Sequence, residues 1–329
     1  MTIWLWIGFV IFVLLALALD LGVLNRKAHV IGTGEALKWT SVWVTAALLF
    51  SLFVYWIYQH DILGIAASGA AQLSGRDAAL QFLTGYLVEE SLSLDNMVVI
   101  AIIFAYFGVP AIHQHRVLFW GIIGALVMRG VMIAAGTALL ARFEWILYVF
   151  GVILLMTAFR LMRAGDEQID PERNLLVRLT RRLYPVTSEF HGTRFFVNVN
   201  GRRSMTLMFV TLLVVESSDV MFAVDSIPAV IAVTREPFLV FTSNVFAILG
   251  LRSLYFALAG MVRKFRYLKS SLVFLLGFIG VKMLAEHFYK LSTVASLCCI
   301  AAILGVGIVA SLSHARRNPD PGDDCESPS

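Results

Sequence analysis

Nine stretches of some twenty or more mostly apolar residues follow one another along the chain, more than any soluble core could bury. They cover roughly 3–24, 39–59, 78–107, 117–141, 144–164, 204–233, 237–260, 268–289 and 292–313. A helix crossing the hydrocarbon of a bilayer needs about 20 such residues. The repetition therefore predicts an all-α polytopic membrane protein with about nine transmembrane helices. Composition agrees, since 59% of the 329 residues are hydrophobic and 15% are charged, against roughly 25% charged in a soluble domain. The opening segment, MTIWLWIGFVIFVLLALALDLGVL, lacks a basic n-region and a small-residue cleavage site. It is expected to stay as the first span.

Basic loops resist translocation, so lysine and arginine orient the spans. On one side lie Arg26, Lys27, Lys38, Arg116, nine arginines from Arg160 to Arg203, Arg263, Lys264, Arg266, Lys269, Arg316 and Arg317, nineteen in all. The other side has four: Arg76, Arg142, Arg235 and Lys290. This split predicts an N-terminus outside and a C-terminus inside, hence an odd helix count. The organisation expected is a transmembrane domain over 1–313, with a basic cytoplasmic loop at 165–203, and a disordered cytoplasmic tail over 314–329. The net charge of +4 reads as a topology signal. The arginine-rich loop is expected to face anionic lipid, and no nucleic acid partner is implied.

Shorter signals fill in the rest. Asp170-Pro171 has the form of an N-cap followed by proline, and FFVNVNGRRSMT predicts a hairpin around Asn200-Gly201. The aromatic runs WLWIGF and VYWIY suggest interfacial anchors. Cys298, Cys299 and Cys325 form no spaced framework, and the adjacent pair is expected to be small core residues. His287 is expected at an interface. Nothing in the sequence sets an oligomeric state.

A charge at mid-bilayer costs at least about 2.5–3.5 kcal/mol on insertion scales, so it usually faces a bundle interior or a watery cavity. The in-span set is Asp20, Glu89, Glu90, Asp95, Arg129, Glu216, Asp219, Asp225, Arg252 and Lys282. Two windows within it resemble each other. EESLSLDN at 89–96 and DVMFAVDS at 219–226 both fit [E/D]-x-x-x-[S/A]-x-D-[N/S], 130 residues apart. Glu89 then corresponds to Asp219, Asp95 to Asp225 and Asn96 to Ser226. With the outside N-terminus, span 3 runs inward and span 6 outward. That opposition is what an inverted repeat of spans 3–5 on 6–8 requires, with a site expected near the midplane between the repeats.

At about 100° per residue, Glu89, Ser93 and Asn96 share one helix face, as do Glu216, Asp219, Ala223 and Ser226. Asp95 falls about 120° from Glu89, so shared ligation requires a helix break or ligands drawn from several helices. Pro228 is expected to supply such a break, because it leaves the carbonyl of Val224 without its usual N–H partner. The first motif has Val98 at the corresponding place. Carboxylate, amide, hydroxyl and carbonyl oxygens suit hard divalent cations such as Mn²⁺, Mg²⁺ or Ca²⁺. Protons are expected to compete with the metal for these carboxylates. The plainer reading is that the acids pair with Arg129, Arg252 and Lys282 to fix helix packing, but the acids outnumber those bases. Arg129 and Lys282 fit equally as counter-ions or as substrate contacts, and Arg252 is a candidate to snorkel. Asp20 is placed as an interface anchor or a gate, and Glu90 diverges from Glu89 by about 100°. The GxGD and YD motifs of intramembrane aspartyl proteases are absent from the two acidic spans, so no enzyme activity is expected.

At LDLGVLNRKAH, GYLVEESLSLDN, GIIGALVMRG, ESSDVMFAVDSIPAV, FTSNVFAILGLRSLYF and FIGVKML the chain resembles the TerC family of integral membrane proteins, named for tellurium resistance, and its Alx-like members. The resemblance covers nearly the whole chain. It implies a bacterial inner-membrane protein related to LysE-type exporters, with Mn²⁺ export as its activity and no required cofactor. Carried over by position, it points to Glu89, Asp95, Asn96, Glu216, Asp219, Asp225 and Ser226 as metal-site residues. Ser93, Asp20, Arg129, Lys282 and Glu90 are supporting candidates, and Glu90 stands where family members often have lysine. An oxyanion such as tellurite would prefer a basic pocket, and these motifs are acidic. The rival expectation is a non-transporting membrane component of a tellurite- or stress-resistance complex.

Overall fold

The computed structural model describes residues 3–19, 32–60, 73–163, 194–199, 202–259, 268–286 and 291–317. Asp20, His287, the Asp170-Pro171 element and the tail beyond Arg317 lie outside the described residues. Among the described residues the apolar stretches form nine helices: α1 (Ile3–Leu19), α2 (Thr33–Gln59), α3 (Gly75–Phe107), α4 (Ala111–Arg142), α5 (Ile146–Arg163), α6 (Leu207–Ile231), α7 (Pro237–Ala259), α8 (Leu268–Ala285) and α9 (Thr293–Arg317). Six of them, α2, α4, α5, α6, α7 and α9, are long and apolar enough to cross a membrane, and α1 and α8 are shorter apolar helices. The 33-residue α3 carries the first acidic motif. Side chains such as Leu15, Leu49, Val131, Met156, Phe274 and Val306 stand exposed around the bundle, the outward face that lipid covers in a protein of this composition.

Several helices overrun their apolar stretches by a turn or more. α4 begins at Ala111 and takes in Arg116, and α9 continues to Arg317, past the expected boundary at 313. The start of α3 is capped by Ser74, whose Oγ accepts from the Asp77 N–H at 3.1 Å. Its end is closed by Gly108 at φ 63°, a left-handed conformation suited to glycine. The hairpin forms where NG predicts it: β1 (Phe196–Val199) pairs antiparallel with β2 (Arg202–Met205), with Val199 opposite Arg202. It docks on the bundle through Phe195, which packs near Trp120 and Phe209 and lies under the Arg116 guanidinium.

In hydrocarbon, side-chain hydroxyls must find partners inside the protein. Most do so on their own helix: Thr84, Ser91, Thr137, Thr211 and Thr242 each donate to a carbonyl four residues back. The apolar core forms three clusters. One joins α1, α2, α3 and α7 around Phe9, Phe50, Phe82 and Phe246. A second joins α5, α6 and α8 around Leu154, Ile227 and Ile279. The third surrounds Met97, Phe104, Val214 and Tyr255. Trp6 belongs to the first, 5.4 Å from Phe241 and 5.5 Å from Phe238. It packs α1 onto α7 where an interfacial anchor was expected; Trp4, on the outer face, stays exposed.

Helix pairing is regular. α3 packs on α7, α4 on α6, α3 on α6, α4 on α7 and α5 on α8, while α2 covers α3 and α7. α5 and α8 approach through facing glycines. A Cβ at Gly280 would stand 2.9 Å from Leu155 Cγ and 3.0 Å from the Gly151 carbonyl oxygen. Small residues of this kind let helix backbones come together in membranes.

Two expectations are corrected. The helix α6 runs unbroken to Ile231 with Pro228 inside it. A single missing hydrogen bond is tolerated where packed neighbours hold a membrane helix in shape, so no unwound segment forms at Asp225. Cys298 and Cys299 are exposed on α9. That helix lies at the edge of the bundle, against α8 and α3, and the pair faces outward.

The Gly151–Gly280 contact yields a prediction. Gly280→Ala must push α5 away from α8, an overpacking cost of about 1–3 kcal/mol. Thermal unfolding of the purified protein in detergent reads this as a lowered Tm, whereas Gly277→Ala, with nothing within 4 Å of its Cβ, leaves Tm unchanged or raised.

Candidate functional site

Arg129 organises the polar interior. It lies on α4 and is 1% exposed. A guanidinium keeps its proton in proteins, so at this depth the charge must be met by partners. Nη1 forms an ion pair with Glu89 on α3, and donates to Ser226 Oγ on α6 at 3.4 Å and Asn244 Oδ1 on α7 at 3.3 Å. The other edge makes a fork with Asp219 on α6: Nη2 to Oδ1 at 2.9 Å and Nε to Oδ2 at 3.2 Å. Such two-pronged pairs are among the strong charge-assisted contacts. Four helices, α3, α4, α6 and α7, are thereby tied to one cation. The Asn244 amide is oriented by its own Nδ2, which donates to the Val240 carbonyl at 3.0 Å.

A cavity adjoins this cluster. It is lined by Asn96 and Ile100 of α3, Gly121 and Ala125 of α4, Glu216 and Asp219 of α6, and Ile248 and Leu251 of α7, among others. Water-sized spheres can place their centres in about 30 Å³ of it, and roughly 10–15 Å³ admits one water. Water or a bare ion therefore fits. Asp219 spans both features, bound to Arg129 on one side and lining the cavity on the other. Glu216, one helical turn before it, is set against α4 at a glycine. A Cβ on Gly124 would collide with the Glu216 carboxylate.

The sequence-derived residues fall into separate groups. Glu89, Asp219 and Ser226 meet on Arg129, and Asn96, Glu216 and Asp219 meet at the cavity. Ser93 is fully buried, with no hydrogen-bond partner for its Oγ among the described residues. Asp225 instead turns to α5, where Thr157 Oγ1 donates to its Oδ1 at 2.8 Å. Asp95 is half-buried on α3 and outside the cavity lining. Glu90 diverges from Glu89, with an oxygen 3.9 Å from where a Cβ on Gly250 would stand. Lys282 donates from Nζ to the Ala232 carbonyl at 3.2 Å, a cation at the C-terminal end of α6, away from the acids. Arg252 is buried at 7% exposure and does not snorkel. Among the described residues no three His, Cys, Asp or Glu side chains cluster closely enough to hold a metal ion by themselves. A cation in the cavity would take its protein oxygens from Glu216, Asp219 and the Asn96 amide, with water completing the shell.

Three contributors were missed. Asn244 and Thr157 are polar residues in apolar spans, a signal as costly in kind as the charges themselves. Gly124 sits in GIIGALVMRG, where only its spatial neighbour reveals its purpose.

The fold and interior together define a multi-pass α-helical membrane protein built around a buried arginine–carboxylate cluster and a mostly apolar cavity that two carboxylates border. The chain belongs to the integral membrane protein TerC family, whose model matches residues 74–319, from the cap of α3 through α9. It is 50% identical over 315 residues to "Uncharacterized membrane protein STKORF319" of Myxococcus xanthus, covering 96% of this chain and 94% of that protein. It is 44% identical over 301 residues to "Putative membrane-bound redox modulator Alx" of Escherichia coli (strain K12), covering 91% of each. A Rickettsia bellii membrane protein is 37% identical over 313 residues, covering 95% of this chain and 98% of its own. No solved structure matches the chain.

Gly124→Ala tests the cavity's construction. Alanine is the better helix former by about 0.8–1 kcal/mol, and the atom it displaces is the far end of a flexible side chain. Tm should therefore hold while the Glu216 carboxylate is driven from its place. Divalent-cation binding by the purified variant, measured by calorimetry, should weaken without loss of fold; a variant that binds as the wild type does would show that this carboxylate position is immaterial.

Proposed function

We propose that the protein exports a divalent cation, Mn²⁺ foremost, across the bacterial cytoplasmic membrane. The observation that carries this reading is the charge balance of the cluster formed by Arg129 and the cavity beside it. Glu89, Asp219 and Glu216 bring three carboxylates, and Arg129 brings one guanidinium. When all are ionised, a formal charge of −2 is left beside a cavity that fits an ion. One divalent cation cancels it. The donors are oxygens, which favour Mn²⁺, Mg²⁺ or Ca²⁺ over thiolate-seeking metals. Without an ion the surplus negative charge beside the cavity favours proton uptake, so exchange of the metal for a proton follows.

The helix contacts agree with an inverted repeat of α3–α5 on α6–α8, an arrangement that would suit a transport role. Exchanging the two triplets maps the α3–α7 contact onto α6–α4 and maps α3–α6, α4–α7 and α5–α8 onto themselves. All of these contacts are present. Glu89 and Asp219, equivalent in the motif, share Arg129. Gly151 and Gly280, 129 residues apart, face each other across α5 and α8. The cavity lies on one side of Arg129, toward the C-terminal part of α3 and the N-terminal part of α6. With the C-terminus inside, as the basic loops indicate, that side is cytoplasmic, where an exporter loads.

Reconstituted vesicles loaded with a Mn²⁺-sensitive dye test the proposal. Wild-type protein should carry Mn²⁺ with counter-movement of protons, and Glu216→Gln and Asp219→Asn should each cut the rate about tenfold or more, as loss of metal-site groups does. Asp225→Asn, which keeps an acceptor for Thr157, should cut it less. Transport unchanged in Glu216→Gln and Asp219→Asn would sink the site. No transport by the wild type would favour a stress-response component without transport of its own.

A further inference from the structure

We infer that Arg129 is a tethered competitor of the transported cation, holding Asp219 while the site is empty of metal and yielding it when the cation binds. This rests on the divalent-cation reading above. The two edges of the guanidinium are anchored differently. Nη1 meets three acceptors, Glu89, Ser226 and Asn244, on three helices. The Nε–Nη2 edge has, among the described residues, Asp219 as its hydrogen-bond partner. Arg129 can therefore give up Asp219 and remain buried and charge-paired. The two carboxylates differ as well: Glu89 is 0% exposed, whereas Asp219 is 16% exposed and lines the cavity. A cation in the cavity reaches Asp219 first and does not reach Glu89.

The charge count changes through the exchange. With a proton on Glu216 the empty site carries a net −1, and when the divalent ion displaces that proton the site becomes neutral. Before binding, Arg129 is shared between Glu89 and Asp219, and Glu216 faces the cavity. After binding, Arg129 pairs with Glu89, and the divalent ion takes Asp219 and Glu216. Every cation that binds must break the fork on Asp219, so its affinity is reduced by the strength of that pair. On the way out, the guanidinium closes back onto Asp219 and displaces the ion. Arg129 thus limits affinity and promotes release, as a transporter needs for turnover. It also explains why a buried arginine stands in a site whose cargo is positive. A purely structural arginine would do the opposite, because losing it would disorder the carboxylates and weaken binding.

Two variants of the full-length protein separate these outcomes. Arg129→Gln leaves an amide at the site but strands buried carboxylates, a destabilising change. The double variant Glu89→Gln/Arg129→Gln removes one charge of each sign and so leaves the net buried charge as in the wild type. Mn²⁺ binding in detergent by calorimetry and Mn²⁺ export in vesicles are read side by side. The double variant, and Arg129→Gln where it folds, should bind Mn²⁺ at least about tenfold more tightly than wild type, since the cation no longer breaks an ion pair. Export should fall because release slows. Binding by the double variant that is equal to or weaker than wild type, with the wild type still binding and exporting, overturns the competitor role alone. If neither wild type nor variants bind any divalent cation, the transport reading falls with it.

Discussion

The interior depends on the ionic contacts of one side chain. Arg129 cannot lose its proton, cannot reach water and cannot be left unpaired, so the bundle must bring acceptors to it. It does so from α3, α6 and α7, and in turn those helices are fixed in register around α4. The arrangement is costly to build in hydrocarbon, where burying two charges often consumes more free energy than their attraction returns. Hydrophobic residues of similar size would have packed the same helices with less penalty. That a polar cluster stands there, with a cavity at its edge, is a reason to look for function in it.

The electrostatics and the packing serve the same end. α3 and α6 carry the acids, α4 carries the guanidinium that engages them, and α7 carries the amide that accepts from that guanidinium. Glycines set the distances: Gly124 admits the Glu216 carboxylate, and Gly151 with Gly280 lets α5 and α8 touch. The local Ser and Thr hydrogen bonds keep many hydroxyls on their own helices, whereas Ser226 and Asn244 turn their polar atoms to Arg129. A site emerges where the helix backbones cannot satisfy their own side chains.

Much of this was legible in the chain. The nine apolar stretches became nine helices because lipid-facing segments must satisfy every backbone group internally, and only a helix does so within one stretch. The acids of EESLSLDN and DVMFAVDS announced themselves by their cost in an apolar run, and helical periodicity correctly set Glu89, Ser93 and Asn96 on one buried face. Periodicity says nothing about which neighbour a face meets. That is why Arg129, weighed evenly as counter-ion or substrate contact, emerges only in three dimensions as the common partner of Glu89 and Asp219, while Lys282, equal to it on paper, caps α6 instead. Pro228 was misread for a related reason. A missing N–H weakens one hydrogen bond, and surrounding helices decide whether the chain unwinds. Asp225 fits the motif as well as Asp219 does, yet it sits six residues further along the helix and finds Thr157, a residue that no motif had marked.

Electron paramagnetic resonance of Mn²⁺ added to the purified protein bears on the central claim most directly, because the spectrum reports both the number of ions bound and the atoms around them. The account predicts one Mn²⁺ per chain in an all-oxygen shell of protein carboxylate, amide and water. A protein that leaves all its Mn²⁺ in the free aqueous form, or binds it through nitrogen or sulfur, would contradict it.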